Sequence, residues 1–229
     1  MKQKAIITGD IVSSQKIEPG KREQLYTDVG SFLNSLKGKW ITSYETYRGD
    51  SLQCEVKATK DALRVALIIR TYMMAYSSQK SKLPLKKKRV PSKGYFNNEF
   101  DIRLAVGIGA VDFIKRKKIT SSDGEAFRFS GEALDSLKDE NQRLVCKTNS
   151  ELFDKDIEPV IILLDALAQK WTQNQAELVL NKLYNKKDEE IATELGISIP
   201  AINQRKKTAQ WFAIEKAVQF FEYKTTNSL

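Results

Sequence analysis

The sequence predicts an α+β fold followed by a helical tail, and three observations carry that expectation. Short runs with two-residue alternation or a continuous apolar stretch occur six times before residue 150. Longer runs with apolar residues three and four apart lie between them. From Glu158 onward only the helical spacing remains.

The elements follow in chain order. Lys4 to Ile11 holds the apolar run Ala5-Ile6-Ile7 and stops at Thr8-Gly9-Asp10, a buried strand ending at a turn. Lys21 to Leu36 places Leu25, Val29, Phe32, Leu33 and Leu36 on one helical face, with Gly38 as the stop. Trp40 to Thr46 and Leu52 to Val56 are strand-like and flank Tyr47-Arg48-Gly49-Asp50-Ser51, so the pair reads as a hairpin. Thr59 to Tyr76 is the clearest helix, with Ala62, Val65, Ala66, Ile69, Tyr72 and Met73 on its inner face. Ile102 to Ile108 alternates as a strand, and Val111 to Ile114 reads as a short partner strand beyond Gly109. Gly107 and Gly109 suit close backbone approach within the sheet. Ala126 to Leu137 is helical, with Ser122-Asp123-Gly124-Glu125 read as its cap or, alternatively, as a segment facing a nucleotide, and Leu144 to Lys147 is a last strand. A hairpin between two helices on a mixed sheet points to a ferredoxin-like domain over residues 1–155. The helices expected at Val160 to Lys170, Asn174 to Tyr184, Asp188 to Leu195, Pro200 to Lys207 and on to Tyr223 make a second, all-helical domain over 156–229.

Composition narrows the chemistry. The 229 residues are 41% hydrophobic and 29% charged, which suits a globular chain with a real core. No apolar run approaches the roughly 20 residues that span a bilayer, and the start turns polar too soon for a secretory segment. Cys54 and Cys146 are too few for a disulfide scaffold and too far apart for a thiolate metal site. The expected location is the cytoplasm, with no membrane partner. There is no histidine, which removes Ser-His-Asp and Cys-His catalysis and histidine-bound zinc. Any metal is then a hard cation on oxygen ligands, Mg²⁺ or Mn²⁺. The net charge of +9 points to a polyanionic partner, nucleic acid or nucleotide phosphate. Most of that charge lies in Lys80 to Lys93 and in Lys115-Arg116-Lys117-Lys118, because Thr172 to Leu229 holds eight basic and seven acidic residues. The first of these runs also reads simply as a solvated loop.

Two Gly-Asp pairs, Gly9-Asp10 and Gly49-Asp50, are the main chemical feature. In the expected topology Asp10 ends the first strand and Asp50 sits at the tip of the hairpin beside it. Close carboxylates repel unless a cation lies between them, and Mg²⁺ takes one or two such ligands plus phosphate oxygens. The backbone N–H groups of Ile11, Val12, Ser13 and Ser14 then offer a cradle for a triphosphate. Ordinary turn chemistry is the other reading of the same dipeptides.

Thr8-Gly9-Asp10-Ile11-Val12, Tyr47-Arg48-Gly49-Asp50-Ser51, Arg103-Leu-Ala-Val-Gly107-Ile108-Gly109 and Gly124-Glu-Ala-Phe-Arg128-Phe-Ser-Gly-Glu132-Ala-Leu134 occur in that order. These segments resemble the four signature segments of class III nucleotidyl cyclases, relatives of the polymerase palm. Followed by a helix-turn-helix, the set is similar to the SatD-like family of bacterial proteins over most of the chain. The resemblance implies that Asp10 and Asp50 bind metal, with the carbonyl of Ile11 as a further ligand. Two metals would then activate a ribose 3′-hydroxyl and clamp the triphosphate. Departures are visible too. The base-selecting position holds Thr46 in place of Lys or Glu, and the Asn-x-x-x-Arg pair corresponds to Arg128-Phe-Ser-Gly-Glu132. Arg128 keeps the ability to donate to a phosphate, whereas Glu132 repels one. Arg48 either holds a phosphate or pairs with Asp50.

Asp188 to Lys207 fits a helix-turn-helix similar to region 4 of sigma factors. Ile191, Ala192 and Leu195 supply an apolar face, Gly196 the left-handed turn, Ile197 a core plug and Ser198 a cap. The outer face of the second helix carries Ser198, Ile199, Ala201, Asn203, Gln204 and Lys207. Asn203 and Gln204 suit adenine edges, and Arg205, Lys206 or Lys207 suit phosphate. Packing or dimerisation is the competing use, and the near-neutral tail favours it.

Two readings follow. One is a homodimeric DNA-binding regulator whose cyclase-like domain senses a nucleoside triphosphate with Mg²⁺ or Mn²⁺. The other is an active metal-dependent nucleotidyl cyclase or nucleotidyltransferase whose tail localises or regulates it.

Overall fold

Strand β1 (Lys4–Ile11) runs through the middle of a five-stranded sheet in the computed structural model, which describes residues 3–76, 99–137 and 141–229. It is flanked by β3 (Ser51–Val56) and β4 (Ile102–Gly109), antiparallel to both. Outside these lie β2 (Ile41–Tyr47), antiparallel to β3, and β5 (Leu144–Thr148), parallel to β4. The strand order is therefore β2-β3-β1-β4-β5. The chain is a mixed α+β protein, as the alternation of spacings predicts, with eight α-helices among the described residues.

The two faces of the sheet are covered differently. Ala5, Ile7 and Ile11 of β1 enter the main core with Leu25, Val29, Leu33 and Leu36 of α1 (Pro19–Leu36) and the apolar residues of α2 (Ala62–Ala75). The alternate residues Ile6, Thr8 and Asp10 face the other way, towards α3 (Glu125–Ser136). Glycine makes that second contact close. A methyl group on Gly107 would lie 2.2 Å from the carbonyl oxygen of Ala126 and 2.5 Å from the amide nitrogen of Ser130.

The remaining helices are α4 (Glu151–Ala168), α5 (Gln173–Leu183), α6 (Asp188–Leu195), α7 (Ile199–Thr208) and α8 (Trp211–Ser228). Helix α4 begins nine residues before the expected Val160 and contains Pro159. Ser150 caps it by accepting from the Phe153 amide at 3.3 Å. Position 155 thus falls inside α4, and Phe153, Ile157, Val179, Ile214 and Phe221 share one core with β1 and α2. A second tie is polar: Arg70 of α2, fully buried, pairs with Asp101 at 3.1 Å and with Asp165 of α4. Asp165 also accepts from the Arg143 amide at 2.9 Å, so the buried charges are held by several hydrogen bonds.

The expected strand at Val111 to Ile114 is not formed. That segment makes a single antiparallel bridge, Phe113 to Asp123, because Val111 and Ile114 turn into a small core with Ile6, Ile119, Ala126 and Phe127. The basic run Lys80 to Lys93 lies outside the described residues. No helix among the described residues is long and apolar enough to cross a membrane.

Candidate functional site

Pairing across three strands brings the two Gly-Asp motifs together. Asp10, next to last in β1, stands opposite Ser51 of β3 on one side and Arg103 of β4 on the other. The hairpin tip turns through Arg48 and Gly49, both with positive φ (54° and 86°). Gly49 has a second reason to lack a side chain, since a methyl group there would lie 2.7 Å from the Tyr26 ring. The tip is stitched to β1 by the Ile11 amide, which donates to the Asp50 carbonyl at 2.9 Å.

The result is a cleft of about 510 Å³ lined by Thr8, Asp10, Gln15, Tyr47, Arg48, Asp50, Ser51, Gly131, Leu134 and Asp135. Strand ends and the hairpin tip form one side, and the last turns of α3 form the other. At its back Thr8 donates to Ser130 at 2.8 Å while accepting from Gln53 at 3.1 Å. That direction follows because the Ser130 hydroxyl donates to the Phe127 carbonyl at 3.0 Å. The charges concentrate at the mouth. Burial pushes the Tyr47 phenol above its ordinary range; Arg48 opposes the rise, and Asp10, Asp135 and Asp50 add to it.

Each carboxylate is held in place. Arg103 donates to both oxygens of Asp10 through Nε and Nη2, each at 3.2 Å. Asp50 accepts from Ser14 Oγ at 2.6 Å and from Ser51 Oγ at 3.4 Å. Ser14 reaches Asp50 from a 3-10 turn whose cap, Ser13, is left-handed (φ 53°). The amides of Ile11 and Val12 are already used by the carbonyls of Asp50 and Asp101, so half of the expected amide cradle is occupied by backbone partners. The Ile11 side chain lies in the core, 3% exposed.

Other predicted residues lie elsewhere. Thr46 follows Tyr44 on the α1 side of β2, where the Tyr44 hydroxyl donates to the Gly30 carbonyl, and it does not line the cleft. Arg128 pairs with Asp123 at 3.0 Å and Asp112 at 3.9 Å at the start of α3, outside the cleft of its own chain. Glu132 is exposed and also outside it. Among the described residues no group of three or more His, Cys, Asp or Glu side chains is placed to hold a metal ion.

Sequence reasoning passed over Thr8, Gln15, Tyr47, Ser51, Gly131, Leu134 and Asp135 as lining residues, and Arg103 as the partner of Asp10. Two-residue alternation from Asp10 points back to Thr8, and the three- and four-residue spacing of Gly131, Leu134 and Asp135 marks one helix face. Arg103 needed the β1–β4 register, which no local pattern supplies.

In the tail, Leu178, Ile191 and Ile202 form a small core with Ala192, Leu195 and Ile197 around the turn between α6 and α7. Gly196 is left-handed (φ 63°), and Ser198 accepts from the Ala201 amide at 3.4 Å. Arg205 is drawn to Glu177 at 3.4 Å and Lys206 to Asp188 at 2.6 Å, leaving Asn203, Gln204 and Lys207 exposed.

No protein-family model matches the chain, and no curated protein does. Among solved structures the chain is similar to one described as the structure of a bacterial light-regulated adenylyl cyclase. The two are 15% identical with a TM-score of 0.38, over 63% of this chain and 74% of that one.

Proposed function

We propose that the Asp10–Asp50 cleft binds a nucleoside triphosphate together with Mg²⁺ or Mn²⁺, and that the chain acts on it as a nucleotidyl cyclase or nucleotidyltransferase. The observation that carries this is the convergence of Asp10 and Asp50, forty residues apart in sequence, on one cleft that also holds Arg48 and Ser51. The strand order with β1 between β3 and β4 supports a ferredoxin-like reading of the N-terminal part, and with it the cyclase and SatD-like resemblance.

The donor set suits a hard cation. Asp10 and Asp50 offer carboxylate oxygens with the Ser14 and Ser51 hydroxyls beside them, and Mg²⁺ needs only one or two carboxylates when phosphates complete its shell. When bound, the cation supplies charge neutralisation for the triphosphate and polarises the reacting oxygens. The chain's own residues do the rest. Arg103 orients the Asp10 carboxylate, Ser14 orients that of Asp50, and Arg48 at the mouth attracts phosphate in place of the amides already used. The tail then serves regulation, and the protein works as a cytoplasmic homodimer.

A second reading rests on the α6–α7 pair. Its left-handed Gly196, the Ser198 cap and the Leu178–Ile191–Ile202 core support a helix-turn-helix, with Ser198, Asn203, Gln204 and Lys207 turned to DNA. The ion pairs of Arg205 and Lys206 reduce the positive charge available for phosphate, which makes this the weaker of the two.

The test is incubation of the purified chain with each of the four nucleoside triphosphates and Mg²⁺ or Mn²⁺, products being separated by chromatography beside Asp50→Ala. The expected result is a product from the wild type that disappears in the variant. Metal-dependent nucleotide binding without product, lost in the variant, would assign a sensor instead. Neither binding nor product would overturn the nucleotide reading.

A further inference from the structure

The densest run of exposed cations among the described residues lies at the other end of the sheet from the cleft. Lys115, Arg116, Lys117 and Lys118 are consecutive and exposed, and among the described residues no ion pair engages any of them. The tail is different: five of its eight cations sit in ion pairs. Acids near the basic loop already have partners. Asp112 and Asp123 face Arg128, Glu45 accepts from Thr120, and buried Glu55 is paired with Lys4, with Arg116 adding a weaker attraction at longer range.

The loop is a built platform. The Phe113 amide donates to the Asp123 carbonyl and the Asp123 amide donates back, both at 3.3 Å. The Lys115 amide donates to Ser122 Oγ at 2.8 Å, and that of Lys118 to the Lys115 carbonyl at 2.9 Å. Val111, Ile114 and the fully buried Ile119 anchor it from below. Pinned this way, the loop turns Phe113 outward, 48% exposed, with Lys115 Nζ 5.6 Å from the ring centroid.

A fixed, accessible aromatic ring followed by four exposed cations, none in an ion pair among the described residues, is the combination that single-stranded nucleic acid needs, a stacking surface for an unstacked base and a track for its phosphates. A duplex keeps its bases stacked and offers the ring nothing. A membrane surface would reward several inserted apolar side chains, and here a single large one projects. We propose that the Phe113–Lys118 loop binds single-stranded nucleic acid, as a site separate from the Asp10–Asp50 cleft and independent of its chemistry.

The test is fluorescence anisotropy of the full chain with labelled single-stranded oligonucleotides, DNA and RNA, across a salt series. A duplex of the same length and vesicles containing anionic lipid are run in parallel. Replacing Lys115, Arg116, Lys117 and Lys118 together by Gln should weaken single-strand binding at least about tenfold. It should also flatten the log–log salt slope by roughly 0.7 for each phosphate that is no longer neutralised. Phe113→Ala should cost roughly fivefold or more, with Phe113→Trp restoring the affinity. Unchanged thermal melting shows that the variants are folded. Wild-type failure to bind, equal binding by the quadruple variant, indifference to Phe113→Ala, or a preference for duplex or vesicles would each overturn the assignment.

Discussion

Gly107 decides where one side of the cleft stands. Its α-hydrogen faces the α3 backbone, and a methyl group there would overlap both the Ala126 carbonyl and the Ser130 amide. Backbone atoms cannot swing aside as a side-chain tip does, so Gly107→Ala has to push the helix away from the sheet. We expect this variant to lose about 3 kcal/mol, the upper end of the usual overpacking cost, in urea unfolding. Gly131, Leu134 and Asp135 ride on the same helix, so nucleotide affinity should fall with stability. The need for close approach at Gly107 was legible from a glycine inside a strand pattern. The element approaching it was not, because that depends on which face of the sheet α3 covers. Arg103 and Asp10 show the same limit, for a cross-strand pair 93 positions apart is set by register alone.

Elements were legible where local chemistry marks their ends. The α6–α7 turn is such a case: Gly196 takes the left-handed conformation, Ile197 enters the small core and Ser198 caps the next helix. Ser198→Ala should therefore destabilise the protein by about 1 kcal/mol in thermal or chemical unfolding, the ordinary cost of a lost N-cap. It should leave the Asp10–Asp50 cleft unaltered. Helix α4 was legible only in its second half. Pro159 divides its sequence pattern, yet tertiary packing of Phe153 and Ile157 extends the helix back to Glu151. The segment Val111 to Ile114 failed in the opposite sense. Val111 and Ile114 serve as anchors for a loop, because their side chains have a core to enter, while the outward Phe113 has only Asp123 to bridge.

At the scale of the molecule, the N-terminal sheet and the helical tail share one core. The Arg70 ion pairs join α2 to α4 and to Asp101, two residues before Arg103 in the chain. The cleft is therefore carried by a frame whose parts support one another, with Asp10, the hairpin residues Tyr47 and Asp50, and Asp135 arriving from three stretches of chain. Two of those acids were visible in the sequence through repeated Gly-Asp dipeptides. Tyr47 was visible only as a neighbour of the second Gly-Asp pair, and Asp135 carries no local signature of its own. The central claim is that Asp10 and Asp50 together hold a divalent cation with a nucleoside triphosphate. It is met most directly by electron paramagnetic resonance of free Mn²⁺ titrated into the full chain, with and without a nucleoside triphosphate. Wild type, Asp10→Asn, Asp50→Asn and Ser198→Ala would be compared. The account predicts nucleotide-dependent Mn²⁺ binding that falls at least about tenfold in each aspartate variant and is kept in Ser198→Ala, as expected when a carboxylate ligand is removed. Equal Mn²⁺ binding by the wild type and both aspartate variants would contradict it.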